Sequence, residues 1–277
     1  MMLTLRGLYV YPVKSLAGIA LQKSVVQPRG LQYDRRWMLV DETGLFVSQR
    51  EIPEMALLGT ALEPPFLVVF SRRNPAMRLR IPLEAPVERM EPVAVRVWDD
   101  ACAAHAYEKP VNDWVSGFLK YPLRLVFMPG STRRLADERY ADGTAVSFAD
   151  GFPFLLIGQA SLDDLNSRLE KPLPMNRFRP NFVFSGGAPY AEDGWRDFRI
   201  GNQPFRGVKP CGRCAIITTD QDTAERGTEP LHTLATYRRV GQKVLFGQNA
   251  VWLGAGDRAI VNVGDTVSPQ LQEGVCE

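Results

Sequence analysis

The chain has 277 residues, 45% of them hydrophobic, and a formal charge of +2; it is long enough to bury a sizeable core as one large domain or two smaller ones. Basic and acidic residues are scattered along it, which argues against a nucleic-acid binder, and no apolar window reaches the length of a membrane span. Four cysteines are too few for a disulfide framework, and the N-terminus lacks the basic-then-apolar order of a signal peptide, so the expected location is the cytoplasm, where thiols stay reduced. Of the 33 basic residues only seven are lysine. Arginine forks match carboxylates and phosphates, a bias that fits an anionic ligand and equally an arginine-rich genome.

In chain order, residues 3–13 and 19–26 read as strands rich in Val, Leu and Tyr. The loop Pro12–Gly18 between them offers Lys14, Ser15 and a glycine together. Trp37–Val40 and Leu45–Ser48 form an expected hairpin around Glu42-Thr43-Gly44. Asp34, Arg35, Arg36 and Arg50 lie at the ends of these strands and, taken alone, read as solvated charge. From Pro53 to Pro92 prolines recur between short apolar runs such as Phe66–Phe70 and Met77–Ile81. Central strands exclude proline, so a sheet with many edges is expected rather than a parallel α/β core. Val93, Val95 and Val97 alternate as a further strand. Asn112 is placed to cap a helix with Trp114, Val115, Phe118 and Leu119 on one face, ended by Tyr121-Pro122. A domain junction is expected there, dividing the chain into 1–122, 123–270 and a short tail, 271–277.

The second half opens with strand Pro122–Met128 and a polar loop, Ser131–Gly143. Phe154–Ile157 reads as a short buried strand and Ser161–Glu170 as a helix, with Ser161 and Asp164 as a capping box and Leu162, Leu165 and Leu169 as the apolar stripe. The run NRFRPN, residues 176–181, puts two arginines and two asparagines at the mouth of strand Phe182–Phe184. A helix is expected from Pro230 through Leu231, Leu234 and Tyr237, stopped by Gly241, and a strand–turn–strand tail follows.

The densest chemistry lies in Val208–Asp220, VKPCGRCAIITTD, where Cys211 and Cys214 flank Arg213 in a Pro/Gly turn. Such a pair can be half of a zinc site, a redox dithiol, or a loop that presents one thiolate to a metal cofactor. A structural zinc site needs four ligands, and beyond these two the chain has only Cys102, Cys276, His105 and His232, with no second close pair. A thioredoxin-type dithiol sits at a helix N-terminus, whereas Ile216–Thr219 prefer a strand. Two packed, inert thiols are the plain alternative. Gly254–Ala259 spells a loose dinucleotide fingerprint, but the strand-like Ile260–Val263 follows instead of a helix, so it reads as a hairpin turn. Asp220 and Asp222 lack the glycine and closing glutamate of a calcium loop. No G-x-S-x-G, P-loop or H-E-x-x-H is present, and nothing points to either histidine as a catalytic base.

Eight segments in order, PVKSLAG, DRRWMLVD, FADGFPFLLIGQASLDDLNSRL, NRFRPN, CGRCAIITTD, EPLHTLATYR, LFGQN and VGDTV, resemble the MOSC family, and within it the two-part proteins with an N-terminal MOSC β-barrel domain. The resemblance implies an α+β fold, mostly antiparallel β: an N-terminal β-barrel-like domain followed by a MOSC β-barrel with a few covering helices. It also implies the molybdenum cofactor, Mo-molybdopterin, and no requirement for pyridoxal phosphate. The second cysteine of the C-x-R-C turn carries over to Cys214 as the catalytic position and molybdenum ligand, a soft thiolate suited to such a centre. Cys211 is then a structural or supporting thiol. Lys14, Ser15, Arg35, Arg179 and Asn181 match cofactor contacts, with Arg213 counted among them. Asp150, Gly151 and Phe152 match a further contact, where Gly151 and Phe152 depart from the small polar residues common there. These are the Lys/Ser and Arg/Asn clusters at strand ends, residue types that bind a phosphate-bearing ligand bidentately.

The activity implied is reduction of N-hydroxylated small molecules, hydroxylamines and amidoximes. Electrons are expected from a separate protein, a ferredoxin, a flavodoxin-like reductase or a cytochrome b5-like carrier, because the plant-type ferredoxin spacing of some bacterial relatives is missing before Glu277. No nucleic-acid or membrane partner is expected. Two alternatives stand beside this: a sulfur carrier or sulfurtransferase with a persulfide on Cys214 or Cys211, and a carrier that holds the cofactor without turnover.

Overall fold

Valine- and phenylalanine-rich runs of four to eleven residues pair here mainly as antiparallel strands in a computed structural model that describes residues 2–256 and 259–270. The expected tail, 271–277, lies outside the described residues. Seven strands close into a barrel in the order Phe154–Gly158, Phe182–Ser185, Leu3–Val10, Thr266–Pro269, Asp197–Ile200, Gln203–Arg213 and Lys243–Trp252, the last pairing back to the first. Closure leaves no free edge among the seven. Phe154, Phe182, Phe198 and Phe205 fill the interior at 1% exposure or less, with ring centroids 5.3 to 5.5 Å apart, the spacing of stacked and edge-to-face pairs.

A four-stranded sheet, Trp37–Val40, Arg124–Phe127, Asp100–Ala106 and Glu91–Val97, and a three-stranded one, Leu58–Glu63, Phe66–Ser71 and Arg78–Pro82, lie in the first half. They share a core with helix Lys109–Leu119, which buries Val115 and Leu119. Among the described residues the other α-helices are Glu138–Ala141, Gln159–Asn166 and Leu231–Tyr237, and no helix is long and apolar enough to cross a membrane.

The sheets do not divide at residue 122. Leu3–Val10 is a central barrel strand between segments from the second half, and Lys23–Gln27 pairs with Ala259–Asn262. Arg124–Phe127, expected in the second half, pairs with Trp37–Val40 and Asp100–Ala106. Hydrophobic burial explains the crossing: Leu5, Leu8 and Val10 are at most 1% exposed, and the barrel is where their apolar surface leaves water.

Four local expectations are corrected. The helix expected to start near Asn112 begins at Lys109 with Pro110 in its first turn, where the missing N–H costs nothing; Asn112 instead donates to Tyr107 O and accepts from Leu125 N. Ser161 does not cap its helix, which starts at Gln159; its hydroxyl donates to Glu192 and accepts from Tyr190 N. Gly254–Ala259, of which 257 and 258 lie outside the described residues, is no hairpin turn, since the strand after it pairs with Lys23–Gln27. Gly241 is the turn between Arg239–Val240 and Lys243–Trp252, and the preceding helix stops at Tyr237.

Candidate functional site

At the end of strand Leu3–Val10 the chain turns inward. Lys14 and Ser15 are 5% and 6% exposed. Lys14 Nζ donates to Phe148 O at 2.9 Å and forms an ion pair with Asp150. Ser15 holds φ +68°, a left-handed conformation that costs a non-glycine residue roughly 1–3 kcal/mol and persists only where neighbours enforce it. Its carbonyl accepts from Gln49 Nε2 at 2.7 Å. Gln49 and Gln221, both buried, exchange amide hydrogen bonds at 2.9 and 3.2 Å, which fastens the Ser15 loop to the segment after Cys214.

The charges at the next strand end are buried, not solvated. Asp34, 1% exposed, accepts from Tyr11 N at 2.8 Å and from Arg35 Nη1 at 2.6 Å. Arg35, at φ +48°, also donates to Asn181 Oδ1 and to Arg179 O at 3.3 and 3.2 Å. Arg179 is left-handed too, at φ +57°. The guanidinium carbons of Arg35 and Arg179 lie 4.2 and 4.3 Å from the centroid of the Tyr11 ring, within cation–π range. Burial pushes the Tyr11 phenol up against the pull of these cations, and burial lowers Arg179 to about 10. Among the described residues the Arg179 guanidinium makes no hydrogen bond or ion pair.

A third wall is the loop carrying Asp150, Gly151 and Phe152. Arg134, 5% exposed, reaches in from the polar loop and donates to the carbonyls of Ser147, Ala149 and Asp150 at 2.8, 2.5 and 3.0 Å. Partial loss of water works against charge on Asp150, yet Lys14, then Arg35, hold its carboxyl below the ordinary range. Burial lowers the Lys14 ammonium, and Asp150 opposes that shift.

The fourth wall corrects the expected cysteine turn. Gln203–Arg213 stays paired with Lys243–Trp252 as far as Arg213 opposite Val244, with irregularities at 207–209 and 210–212. The second of these accommodates Pro210, which has no N–H for the ladder. The residues after Cys214 form a 3-10 helix, Ala215–Thr218, instead of a strand. Cys211 is half-buried and Cys214 exposed, both free. Arg213 Nη1 donates to Cys211 Sγ at 3.2 Å and Nη2 to Phe178 O at 2.7 Å, while its Nε is buried with no partner among the described residues.

Every candidate position named from the sequence, from Lys14 to Cys214, lines one open cleft with about 830 Å³ of empty space. Its lining includes five basic side chains, those of Lys14, Arg35, Arg50, Arg179 and Arg213, against one carboxylate, Asp150. Among the described residues no three His, Cys, Asp or Glu side chains group to hold a metal ion. A metal at Cys214 therefore needs its other donors from a ligand.

The MOSC N-terminal beta barrel domain matches residues 2–122 and the MOSC domain residues 143–268. Mitochondrial amidoxime-reducing component 1 of Mus musculus is 33% identical over 95% of this chain and 81% of its own length, and that of Homo sapiens 32% identical over 95% and 82%. The chain belongs to the MOSC family. A further MOSC relative, the molybdenum cofactor sulfurase of Oryza sativa, is 33% identical over 88% of this chain, which spans only 32% of that longer protein.

The residues of this MOSC chain fit a phosphate-tailed, metal-bearing group on their own chemistry. Five basic side chains against one carboxylate, with one exposed thiol, line the same space, and the buried Arg213 Nε has no hydrogen-bond partner among the described residues. Sequence reading missed Gln49, Gln221 and Arg134. Arg134 lay in a stretch that looked like a polar surface loop, and the glutamines meet each other across 172 positions. Arg50, noted as a strand end, also lines the cleft.

Proposed function

We propose that this MOSC protein is a cytoplasmic, molybdenum-cofactor-dependent oxidoreductase that reduces hydroxylamines and amidoximes with electrons from a separate redox protein. What supports the reading most is one exposed thiol, Cys214, opening onto the same cleft as five basic side chains.

When bound, the cofactor supplies the two-electron redox centre. Cys214 is its protein thiolate donor. Lys14, Ser15, Arg35, Arg179, Asn181 and Arg213 hold its phosphate and pterin by charge-assisted and amide hydrogen bonds. Arg213 occupies the Cys211 sulfur, which leaves Cys214 as the open thiol of the pair. Asp150, held ionised by Lys14, accepts hydrogen bonds at the rim and is no proton donor at neutral pH. The overall reaction takes up two electrons and two protons, cleaves the N–O bond, and releases water with the amine or amidine.

The test is the molybdenum and pterin content of protein from a cofactor-making host, wild type beside Cys214→Ala, followed by benzamidoxime reduction with a chemical electron donor. Near-stoichiometric metal that is lost in the variant, together with turnover, is the expected result. Metal-free protein carrying cyanide-labile sulfur would establish a sulfurtransferase, the reading that the sulfurase relatives favour. Retained molybdenum with no reduction from any donor would leave a cofactor carrier.

A further inference from the structure

Gly151 and Phe152 follow Asp150 in the cleft lining, and an aromatic pair stands at each end of the Asp150–Phe152 segment. At one end is Trp98, 41% exposed, at the tip of the hairpin Glu91–Val97 and Asp100–Ala106. It holds φ +57°, a conformation that a bulky residue keeps only when its surroundings enforce it. Two contacts do so. Trp98 Nε1 donates to Asp150 Oδ1 at 3.3 Å, and Arg134 pairs with Asp100 at 2.9 Å while gripping the carbonyls of the Asp150 loop. The hairpin tip is thereby held against Asp150, Phe46 and Arg50, three residues that line the cleft. The Trp98 ring lies 5.0 Å from that of Phe46 and carries the Arg50 guanidinium at 4.1 Å.

At the other end Phe152 meets Tyr140, itself 42% exposed, edge-on at 6.4 Å, and Lys209 Nζ sits 4.1 Å from the Tyr140 centroid. Neither cation is fully engaged. Among the described residues Arg50, which lies on the Phe46 and Trp98 rings, meets a carboxylate only at Glu51, at 3.7 Å, and Lys209 Nζ makes no hydrogen bond or ion pair. Exposed aromatic surface stacks planar π-systems, and an under-used cation beside it favours a negative substituent.

Resting on the reductase reading for the chemistry, we propose that this mouth selects planar aromatic substrates that bear an anionic group. At one end Trp98 supplies the stacking surface and Arg50 the contact for the anion; at the other, Tyr140 and Lys209 do the same. An aliphatic or uncharged N-hydroxy compound of the same size lacks one half of this recognition.

The test measures binding to cofactor-loaded protein, so that the phosphate cradle is filled and turnover is not needed. The probes are 2-naphthoate, its fully saturated carboxylate analogue and neutral 2-naphthamide, titrated by calorimetry and by tryptophan fluorescence. In wild type 2-naphthoate is expected to bind at least about fivefold tighter than either comparator, the scale of one aromatic contact or one charged hydrogen bond. Trp98→Ala should reduce the advantage over the saturated acid and Trp98→Ala with Tyr140→Ala erase it, and Arg50→Gln with Lys209→Gln should erase the advantage over the amide. Trp98→Phe should keep most of the first advantage, which a merely structural role for the indole does not explain. Equal affinities for the three probes in wild type, or an equal loss for all three in Trp98→Ala, overturn the proposal. Selective binding by a protein that reduces no amidoxime upholds the mouth and removes the reductase; reduction without selectivity does the reverse.

Discussion

Two clusters of arginine and tyrosine in this molecule share their ingredients and differ in balance. In the cleft, Arg35 and Arg179 close on Tyr11 at 4.2 and 4.3 Å with one buried carboxylate, Asp34, which serves Arg35 alone. Away from the cleft, Arg238 and Arg168 lie 4.2 Å from the rings of Tyr190 and Tyr237, whose hydroxyls are hydrogen-bonded at 2.7 Å. There Arg168 forks onto Asp164 at 3.0 Å through both contacts, and Arg238 pairs with Asp193. Tyr190 donates to Asp164 at 2.6 Å, and its phenol is pushed up, first by burial and then by that acid. Each arginine of the outer cluster has its carboxylate, and the cleft cluster leaves one without. A network in which each arginine is paired holds a fold together; a surplus of donors awaits a ligand.

The largest effect that separates the two is expected from Arg179→Met. Losing a charged hydrogen bond to the cofactor costs about 1.5–3 kcal/mol, or roughly ten- to a hundredfold in affinity. Molybdenum content should fall accordingly, whereas the thermal midpoint holds or rises, because an unpaired, desolvated cation is itself a cost. Metal analysis beside a melting curve decides it. A lower midpoint with molybdenum retained would make the two clusters alike.

Asp164→Asn is expected to invert that pattern. It takes a charged acceptor from both Arg168 and Tyr190, and stability should drop by about 1–3 kcal/mol in urea unfolding. Molybdenum content should not change. A loss of cofactor in this variant would show that the outer cluster also reports on the cleft.

How far these roles are legible in the sequence follows from the same contrast. Lys14, Ser15, Arg35, Arg179, Asn181 and Cys214 stand in short, ordered segments, and the cleft brings them together. Yet their backbone is unusual in a way composition does not display: Ser15, Arg35 and Arg179 all hold positive φ, a strain that only tertiary contacts sustain. Strand Arg124–Phe127 was legible as a strand, but its partners lie more than 80 residues upstream or in a hairpin, and pairing choice is set by burial rather than by local propensity. Ile216–Thr219 shows propensity overridden outright. Their β-branched side chains fit a strand, but Ile217 buries against Phe178 and Phe246 in a 3-10 turn.

A smaller change, Tyr11→Phe, keeps the ring between its cations and removes only the hydrogen bond from its hydroxyl to Pro180 O at 3.1 Å. It should cost about 1 kcal/mol of stability and leave molybdenum bound. If molybdenum is lost instead, the hydroxyl rather than the ring positions Arg179.

The smallest expected effect tests a buried acid beside the outer cluster that has no cation among the described residues. Glu192 is fully buried and accepts from Gly158 N at 3.0 Å and Ser161 Oγ at 2.8 Å. Burial raises its carboxyl above the ordinary value, and these hydrogen bonds only partly oppose the shift. A raised carboxyl binds its proton more tightly folded than unfolded. Its contribution to stability is therefore fully present below the ordinary glutamate value of about 4.3 and is lost as pH rises through the folded value. Glu192→Gln removes the titration, so the stability of wild type relative to the variant should decline as pH rises from about 4 and then level off. Urea unfolding of both proteins across that range reads the slope. A slope of the opposite sign would mean that the donors from Gly158 and Ser161 outweigh burial, in which case Glu192 is held as an anion and the outer cluster carries a charge surplus of its own.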